Sequence, residues 1–209
     1  MSRPLRFSFD ELPVSRWRNG GGETRQIVSW PAAELLPADG GPLPAIDDFA
    51  WRASIATIDR DGGFSAFPGV DRSITLLEGN GVVLHGVQGA AHALTQPGEP
   101  YAFAGEEPVN AVLAGGPSRD FNIMTRRLDW RAAVARMDHE FPLPAGHSGV
   151  LYVLAGKWRL LGENDENKAA DDKPLAARDG YWWHHLPSPL ALRPLSTGCL
   201  ALWADITPR

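Results

Sequence analysis

An internal repeat constrains the fold of this 209-residue chain more than any other feature. The segment 69–79, GVDRSITLLEG, aligns with the segment 146–156, GHSGVLYVLAG, at a constant offset of 77 residues. Glycines begin and end both copies, and each apolar run closes on Leu-x-Gly before a second apolar run begins. Short apolar runs bounded by glycine are typical of β-strands. The repeat therefore predicts two related β units in tandem.

The rest of the chain has the same character. Eighteen prolines and 22 glycines separate short apolar runs, which favours β-sheet over a helix bundle. The stretch 128–137 has both a helical and an alternating spacing, and we favour a strand. The polar segments 31–48 and 163–178 predict surface loops. We expect strands to cover the runs Trp51–Ile58, Ser73–Leu77, Gly81–His85, Ala111–Leu113, Val150–Leu154, Trp158–Leu161 and Leu200–Trp203.

Charge and hydrophobicity exclude several classes of partner. The net charge of −5 provides no global basic field for nucleic acid or an anionic membrane. No apolar run approaches the roughly 18 residues of a membrane-spanning helix, and the first residues lack the apolar core of a secretory signal. The single cysteine, Cys199, rules out an intramolecular disulfide, and its apolar neighbours predict that it is buried. These features predict a cytoplasmic protein without nucleic-acid or membrane partners.

A glycine-rich loop stands near the start of the chain, in the sequence WRNGGGET at residues 17–24. Its three consecutive glycines suggest a phosphate-binding loop, but no lysine follows and the next residues have a strand pattern rather than a helical one. Asn19 tolerates unusual dihedral angles and offers an amide. We interpret the loop as a lid that contributes Asn19 and Thr24 to a pocket, with a purely structural glycine turn as the alternative.

This loop and four further motifs together resemble the HutD/Ves family of cupin-like proteins. The further motifs are WRASIA at 51–56, GFSAFPGVDR at 63–72, LEGNG at 77–81 and DFNIMTRR at 120–127. The resemblance implies an all-β cytoplasmic protein made of tandem cupin-like double-stranded β-barrels, a bicupin. We expect the chain to divide into an N-terminal barrel over residues 1–128 and a C-terminal cupin-like half over residues 129–209, packed as one globular unit. The implied role is regulatory: the protein binds a metabolite of histidine utilisation and limits pathway output.

The residues that would hold a metal ion in an ordinary cupin are replaced here. Cupins use a His-x-His pair, a glutamate and a later histidine, and the position of the glutamate, seven residues before Gly79, is Arg72 in this chain. The histidine positions fall on Ser65 and Phe67 or on their neighbours, which are poor ligands for a divalent cation. In the second unit the same count reaches Gly149. We expect the histidines of this unit to be packed or at the surface. A metal site formed by His147 with His184 or His185 is the alternative. We predict no metal and no other cofactor.

Arg72 is the centre of the predicted site. A guanidinium in place of the metal-binding carboxylate makes the interior attractive to an acid, because arginine offers a fixed, charged fork that fits a carboxylate. A buried guanidinium without a partner is costly. The partner is either internal, Asp120 or Glu78, or the acid group of a ligand, and the sequence leaves these alternatives open.

Polar residues at alternate positions extend this site along two strands. Arg52 and Ser54 share one strand face, and Asp120 and Asn122 share another, which indicates either a solvated outer face or a polar lining. The resemblance favours the lining. Arg126 continues the face of Asp120, although Arg126 and Arg127 also fit two solvated arginines. The candidate ligand-binding residues are Asn19, Thr24, Arg52, Ser54, Ser65, Arg72, Asp120, Asn122 and Arg126, and no catalytic residue is predicted.

Three functions fit these features. The first is a non-catalytic sensor of a small carboxylic acid of the urocanate or N-formylglutamate class, which modulates histidine utilisation. The second is a metal-free cupin enzyme, an isomerase or hydrolase, with His85, His147 or Asp120 as acid–base candidates. The third is a protein–protein regulator, since some of the eight tryptophans would form an exposed patch or a homodimer face. We favour the sensor over the enzyme.

Overall fold

The computed structural model describes residues 3–31, 49–162 and 173–209, and the chain is all-β. The one helical element of the described residues is a 3-10 turn at Phe9–Glu11. Seven of the strands match the predicted runs, and the stretch 128–137 contains a strand rather than a helix, which confirms the prediction. The strands are β1 (Leu5–Ser8), β2 (Val14–Arg16), β3 (Gly22–Trp30), β4 (Trp51–Ile58), β5 (Gly62–Gly63), β6 (Val70–Glu78), β7 (Val82–Val87), β8 (Ala90–Leu94), β9 (Pro100–Ala104), β10 (Asn110–Leu113), β11 (Ser118–Arg126), β12 (Trp130–Met137), β13 (Phe141–Leu143), β14 (Ser148–Ala155), β15 (Trp158–Gly162), β16 (Asp179–Trp183), β17 (Leu190–Pro194) and β18 (Leu200–Pro208).

Two predictions concern segments only partly covered by this description. Most of the predicted surface loops, residues 32–48 and 163–172, lie outside the described residues.

Within the described part of the chain, no helix has the length and hydrophobicity needed to cross a lipid bilayer.

The chain forms two compact units, and each contains two sheets. The first unit comprises Met1–Leu12 and Ala133–Thr207, so the first strand packs with the C-terminal part of the sequence. Strand β1 pairs antiparallel with β16 in a five-stranded sheet of order β1-β16-β14-β18-β12, and a three-stranded sheet has the order β13-β17-β15. The second unit comprises Pro13–Ala132 and Pro208–Arg209. Its sheets have the orders β2-β3-β4-β11-β6-β9 and β5-β10-β7-β8.

The sequence repeat reappears in the register of the strands. Strand β6 lies between β11 and β9, and its repeat counterpart β14 lies between β18 and β16. Arg119 pairs with Glu78 at a bulge in the β11–β6 ladder, and Leu200 pairs with Ala155 at a bulge in the β18–β14 ladder. Because Glu78 and Ala155 are 77 residues apart, the offset read from the sequence also relates the two ladders.

The glycine that closes each copy of the repeat is required by the backbone. Gly79 and Gly156 have φ angles of +99° and +77°, in the left-handed region that glycine adopts at low cost. A Cβ on Gly79 would contact the carbonyl of Pro117, and a Cβ on Gly156 would contact Cys199. The Leu-x-Gly pattern therefore marks a tight turn after the strand in both units.

The core of the second unit lies between its two sheets. Ile74 and Phe103 of the six-stranded sheet pack with Val82, Leu84 and Ala111 of the four-stranded sheet, and all five are buried. The face of the six-stranded sheet that carries Ile74 and Phe103 is called the inner face below. Each large apolar side chain buried here contributes on the order of 1.5–3 kcal/mol to stability.

The core of the first unit has the same arrangement. Leu151, Val153, Trp183 and Trp203 of the five-stranded sheet pack with residues of the three-stranded sheet that include Trp158. Cys199 belongs to this cluster and is buried, as predicted.

Candidate functional site

Strand register arranges the inner face of the six-stranded sheet in rows, because residues directly opposite each other on antiparallel strands share a face. We name three rows by a characteristic member, and successive rows are about 7 Å apart along the strands. The arginine row is Arg52, Met124, Arg72 and Phe103. The amide row is Ser54, Asn122, Ile74 and Tyr101. The aspartate row is Thr24, Ala56, Asp120 and Leu76.

The alternating polar residues thus occupy the inner face rather than a solvated outer one. Arg52 and Arg72 lie on the two strands that flank Met124 on β11. Ser54 and Asn122 are neighbours in the next row, and both are buried. The register therefore brings Arg52, Ser54, Arg72 and Asn122 together on one face.

Aromatic rings surround the guanidinium of Arg72. Its Cζ lies 5.1 Å from the ring centroid of Phe64, 5.7 Å from that of Phe67 and 5.0 Å from that of Phe103. These distances are within the range of cation–π interactions. Burial, together with the positive charge of nearby Arg52, lowers the pKa of Arg72 to about 10. The guanidinium is therefore still charged at neutral pH, in an environment that disfavours its charge.

The hydrogen bonds of Arg72 are long. One terminal nitrogen donates to the main-chain carbonyl of Ser65 at 3.5 Å, and the other donates to Oδ1 of Asn122 at 3.4 Å. Its Nε is buried and has no hydrogen-bond partner among the described residues. Since good N–H···O bonds are shorter than about 3.2 Å, the donors of this guanidinium are only weakly satisfied.

Neither internal acid considered from the sequence pairs with Arg72. Glu78 forms an ion pair with Arg119, and the carboxylate of Asp120 accepts a hydrogen bond from Ser118 Oγ at 3.0 Å. Within residues 3–31, 49–162 and 173–209, no carboxylate forms an ion pair with Arg72. The internal-partner alternative is therefore not realised by these two residues.

Asp120 is fully buried in the aspartate row, two rows from Arg72. Burial raises the pKa of Asp120 to about 7, and the hydrogen bond from Ser118 opposes this increase. The side chain of Asn122 donates to the main-chain oxygen of Asp120 at 3.2 Å and so links the amide and aspartate rows. Near neutral pH, a substantial fraction of Asp120 is a neutral carboxylic acid.

The glycine-rich loop is a hairpin connection between β2 and β3. Asn19 Oδ1 accepts a hydrogen bond from the main-chain N–H of Gly21 at 2.9 Å, and Trp17 Nε1 donates to Thr24 Oγ1 at 2.8 Å. A Cβ on Gly22 would collide with the carbonyl of Thr57 on β4, so this glycine permits a close approach of two strands. Thr24 lies in the aspartate row, about 14 Å along the strands from the arginine row. The register does not bring Asn19 or Thr24 to Arg72.

Arg126 and Arg127 have different environments at the end of β11. Arg126 Nε donates to the main-chain oxygen of Phe49 at 3.1 Å, and its Cζ lies 5.3 Å from the centroid of the Phe49 ring. Arg127 forms ion pairs with Asp71 and Glu106. Arg126 continues the inner face beyond Met124, and Arg127 belongs to an exposed ion-pair network.

A cleft of about 290 Å³ lies beside the same strands, and Arg72 and Phe103 are among the residues that line it. Its lining includes Ser73, Ile123 and Thr125, whose side chains alternate to the opposite face of the sheet from Arg72. Most of its lining therefore belongs to the opposite face of the sheet from the guanidinium.

In the first unit, apolar side chains fill the place that corresponds to Arg72. Gly149 is the repeat counterpart, and a Cβ there would collide with the ring of Trp203. Trp203 stacks on Trp183 with ring centroids 5.2 Å apart, and Trp183 pairs with Gly149 across the β14–β16 ladder. This unit has no room at that position for a charged side chain or a ligand acid.

The histidines of the first unit have local partners. His147 Nδ1 lies 2.7 Å from Asp205 Oδ1, and His184 Nδ1 lies 3.0 Å from Ser148 Oγ. The main-chain N–H of His185 donates to Ser148 Oγ at 3.1 Å. Burial and the neighbouring His185 lower the pKa of His184. In the part of the chain that the structure describes, no three His, Cys, Asp or Glu side chains are grouped to hold a metal ion.

Sequence reasoning missed the aromatic part of the site. Phe64 and Phe67 lie on either side of Ser65 and Ala66 in the motif GFSAFPG, but their contact with Arg72 depends on how the chain turns before β6. Phe103 comes from β9, which pairs with β6 at Arg72. The i, i+3 spacing of the first two rings was the only available signal, and it is common among core residues.

Comparisons with known proteins identify relatives over most of the chain. The model of a family described as HutD matches residues 10–199. Protein Ves from Citrobacter koseri is 43% identical over 179 residues, which cover 85% of this chain and 82% of that protein. The structure of HutD from Pseudomonas fluorescens SBW25 superposes with a TM-score of 0.75 at 28% identity, covering 99% of both chains. Protein Ylba from E. coli shares the cupin-like fold alone, with a TM-score of 0.70, 12% identity and coverage of 99% of this chain and 92% of its own.

Proposed function

This chain belongs to the HutD family, and we propose that it is a non-catalytic regulatory protein that binds a small carboxylic acid at Arg72 and modulates histidine utilisation. The proposed ligand is an acid of the urocanate or N-formylglutamate class. The family name suggests the pathway, and the chemistry of the inner face suggests the acid.

One observation carries the proposal: a charged guanidinium lies on the inner face with long hydrogen bonds and no carboxylate partner among the described residues. A buried charge without a counter-charge is unfavourable, and a ligand carboxylate would supply that charge. Arginine binds a carboxylate through two parallel N–H···O bonds, which also orients the ligand. The rings of Phe64 and Phe103 would exclude water from this pair and strengthen it.

The neighbouring polar residues would complete the site. Arg52 supplies a second positive charge in the arginine row, and Ser54 and Asn122 offer a hydroxyl and an amide in the next row. Ser65 lies beside the guanidinium, and Arg126 continues the face at the other side. Asp120, Thr24 and Asn19 would contact only a ligand that extends well beyond the amide row.

We also propose that the two units are cupin-like barrels in tandem, of which only the second binds the acid. In each unit two sheets face each other across an apolar core, and the β6 and β14 ladders have matching registers. Arg72 and Gly149 occupy equivalent positions, which explains why a single site is proposed.

Isothermal titration calorimetry with urocanate and N-formyl-L-glutamate tests the binding site. Both acids should bind the wild-type protein. Their affinity for Arg72→Ala should be about 10–100-fold lower or undetectable, because charge-assisted hydrogen bonds are lost. Arg60→Ala is a matched control, since it removes an exposed arginine of the same unit. Urocanamide, which lacks the carboxylate, should not bind. Absence of wild-type binding at millimolar acid, or equal binding by Arg72→Ala, would reject the site.

The regulatory role needs a cellular readout. In bacteria whose gene for this protein has been deleted, expression of the wild-type protein should restore the normal limit on histidine-utilisation enzyme activity. Expression of Arg72→Ala should not restore it. Equal restoration by both proteins would separate the regulatory role from acid binding.

Asp120 is the observation that favours the alternative, a metal-free cupin isomerase or hydrolase. Its pKa of about 7 suits a general acid–base group at neutral pH. However, its full burial and its distance of two rows from Arg72 would keep it away from an acid bound at the guanidinium. Turnover of either acid by metal-stripped wild-type protein, but not by Asp120→Asn, would support the enzyme.

A further inference from the structure

The segment between β5 and β6, residues 64–69, covers the guanidinium of Arg72. Three of the contacts of Arg72 come from this segment: the rings of Phe64 and Phe67, and the main-chain carbonyl of Ser65. The outward side of the segment is in solvent, because Ser65, Ala66, Pro68 and Gly69 are exposed. We call residues 64–69 the aromatic cover.

The aromatic cover accepts one of the two hydrogen bonds that the terminal nitrogens of Arg72 donate. An end-on pair uses both terminal nitrogens of arginine, and one of these already donates to Ser65 O. A side-on pair uses Nε and one terminal nitrogen, and Nε is buried. A carboxylate that forms either two-bond pair therefore has to approach Arg72 among the rings of the cover, where it competes with the Ser65 carbonyl for the guanidinium.

The attachment of the cover is suited to such a movement. Three main-chain hydrogen bonds join it to neighbouring segments. They run from Phe64 N to Val109 O at 2.9 Å, from Phe67 N to Gly105 O at 2.7 Å and from Arg127 N to Gly69 O at 2.9 Å. Its end is Gly69, with a φ of +74°, and its start follows the two glycines of β5. Phe64 also packs against the apolar cluster that includes Ile74 and Phe103, and Phe67 packs against Phe49, Val70 and Met124. A ligand that neutralises the guanidinium weakens the three contacts of the cover with Arg72 together.

We propose that the aromatic cover is a ligand-operated switch: an acid that pairs with Arg72 displaces Ser65 O, weakens the stacking of Phe64 and Phe67, and shifts the cover outward. This inference rests on the proposed acid binding at Arg72. It gives a non-catalytic protein a means of reporting occupancy, because the exposed surface of residues 65–69 changes when the acid binds. A partner protein that recognises that surface would read the state of the site.

Amide hydrogen exchange of Phe64 and Phe67, measured by NMR on the full chain, tests this switch. Both amides are hydrogen-bonded in the closed cover, so their protection reports its opening. Saturating N-formyl-L-glutamate or urocanate should reduce this protection about tenfold, the effect of losing two cation–π contacts. The amides of β18 in the same sample should change little.

Two variants make the test independent of the ligand. Arg72→Ala should lower the protection of Phe64 and Phe67 without any acid, because it removes the same contacts, and Arg60→Ala should not. Phe67→Leu keeps an apolar side chain and should lower the protection of Phe64 to a smaller extent. Unchanged protection in both Arg72→Ala and Phe67→Leu would overturn the switch.

The outcomes separate this inference from the proposed function. Calorimetric binding of an acid with unchanged protection of Phe64 and Phe67 would overturn the switch and leave acid binding intact. Absence of binding by both acids would overturn acid binding and the switch with it. Reduced protection on binding, mimicked by Arg72→Ala, would establish the coupling.

Discussion

Arg52 and Arg72 face the same side of one sheet on either side of Met124, and the charge of Arg52 contributes to the lowered pKa of Arg72. Two like charges that lie this close are unfavourable in a folded protein unless something compensates for them. The burial of Arg72 next to a second positive charge, without a carboxylate partner among the described residues, is the simplest physical argument that an anion binds at Arg72.

Replacement of Arg72 by methionine should stabilise the protein and abolish acid binding. Methionine has a similar length and packs well against aromatic rings, whereas the native guanidinium is partly desolvated without a counter-charge. We expect the free energy of unfolding of Arg72→Met, measured by urea denaturation, to exceed that of the wild type by about 1 kcal/mol or more. Arg72→Ala should not show this gain, because it leaves a cavity among the rings. A less stable Arg72→Met protein would mean that the cation–π contacts outweigh the desolvation.

Stability should depend on pH through Asp120. The pKa of this group is raised from 3.8 to about 7 on folding, so between these values the folded state holds a proton that the unfolded chain has lost. The wild type therefore loses stability as the pH rises from about 4 to about 7, and the penalty stays constant above pH 7.

Asp120→Asn removes this titration and should be more stable than the wild type at pH 8, by at most about 4 kcal/mol at about 1.4 kcal/mol per unit. The difference should shrink towards zero near pH 4. Thermal unfolding at several pH values measures it, with Asp59→Asn, an exposed aspartate of the same unit, as the control. An equal effect of Asp120→Asn at pH 4 and pH 8 would contradict the buried titration.

Gly149→Ala should destabilise the first unit. The added methyl group would collide with the ring of Trp203 and approach the carbonyl of Ala204, so either the ring or the strand must shift. Such overpacking costs about 1–3 kcal/mol of unfolding free energy. Gly162→Ala is a matched control at the end of β15, where an added Cβ meets no atom within 4 Å. Equal stability of the two variants would show that the space above Gly149 is not filled as described.

Asn122 and Thr24 should differ in their effect on acid binding. Asn122→Leu removes the amide that accepts from Arg72, and we expect about 3–10-fold weaker binding in calorimetry. Thr24→Val removes the acceptor of the Trp17 N–H and should cost about 1 kcal/mol of stability, but it should change the affinity less than twofold. A larger loss of affinity in Thr24→Val would place the ligand across the aspartate row and support the lid interpretation of the glycine-rich loop.

Much of the fold was predictable because its signals are local. Alternation of side chains, apolar runs and turn glycines act over a few residues, so the strands from Trp51 to Ile58 and from Trp158 to Leu161 were confirmed. The offset of 77 residues between the two repeats was confirmed as well, since the closing glycines at 79 and 156 both have positive φ angles.

The site was predictable only in part. Alternation correctly grouped Arg52 with Ser54 and Asp120 with Asn122, because side-chain direction along a strand has a period of two. It did not show that Asp120 and Arg72 are two rows apart, which depends on how β11 is aligned with β6.

The amino-acid sequence was sufficient to predict that this protein is built from repeated β segments, and that an arginine, Arg72, lies seven residues before the glycine that closes the first repeat. The surroundings of that arginine became visible with the folded structure: rings from a loop and from β9, with long hydrogen bonds and no paired acid among the described residues. The structure also shows that the ring of Trp203 fills the space above Gly149, the equivalent position in the other unit. The physical reason is that strand patterns arise from neighbours in the chain, whereas the surroundings of a buried charge come from segments that are distant in sequence.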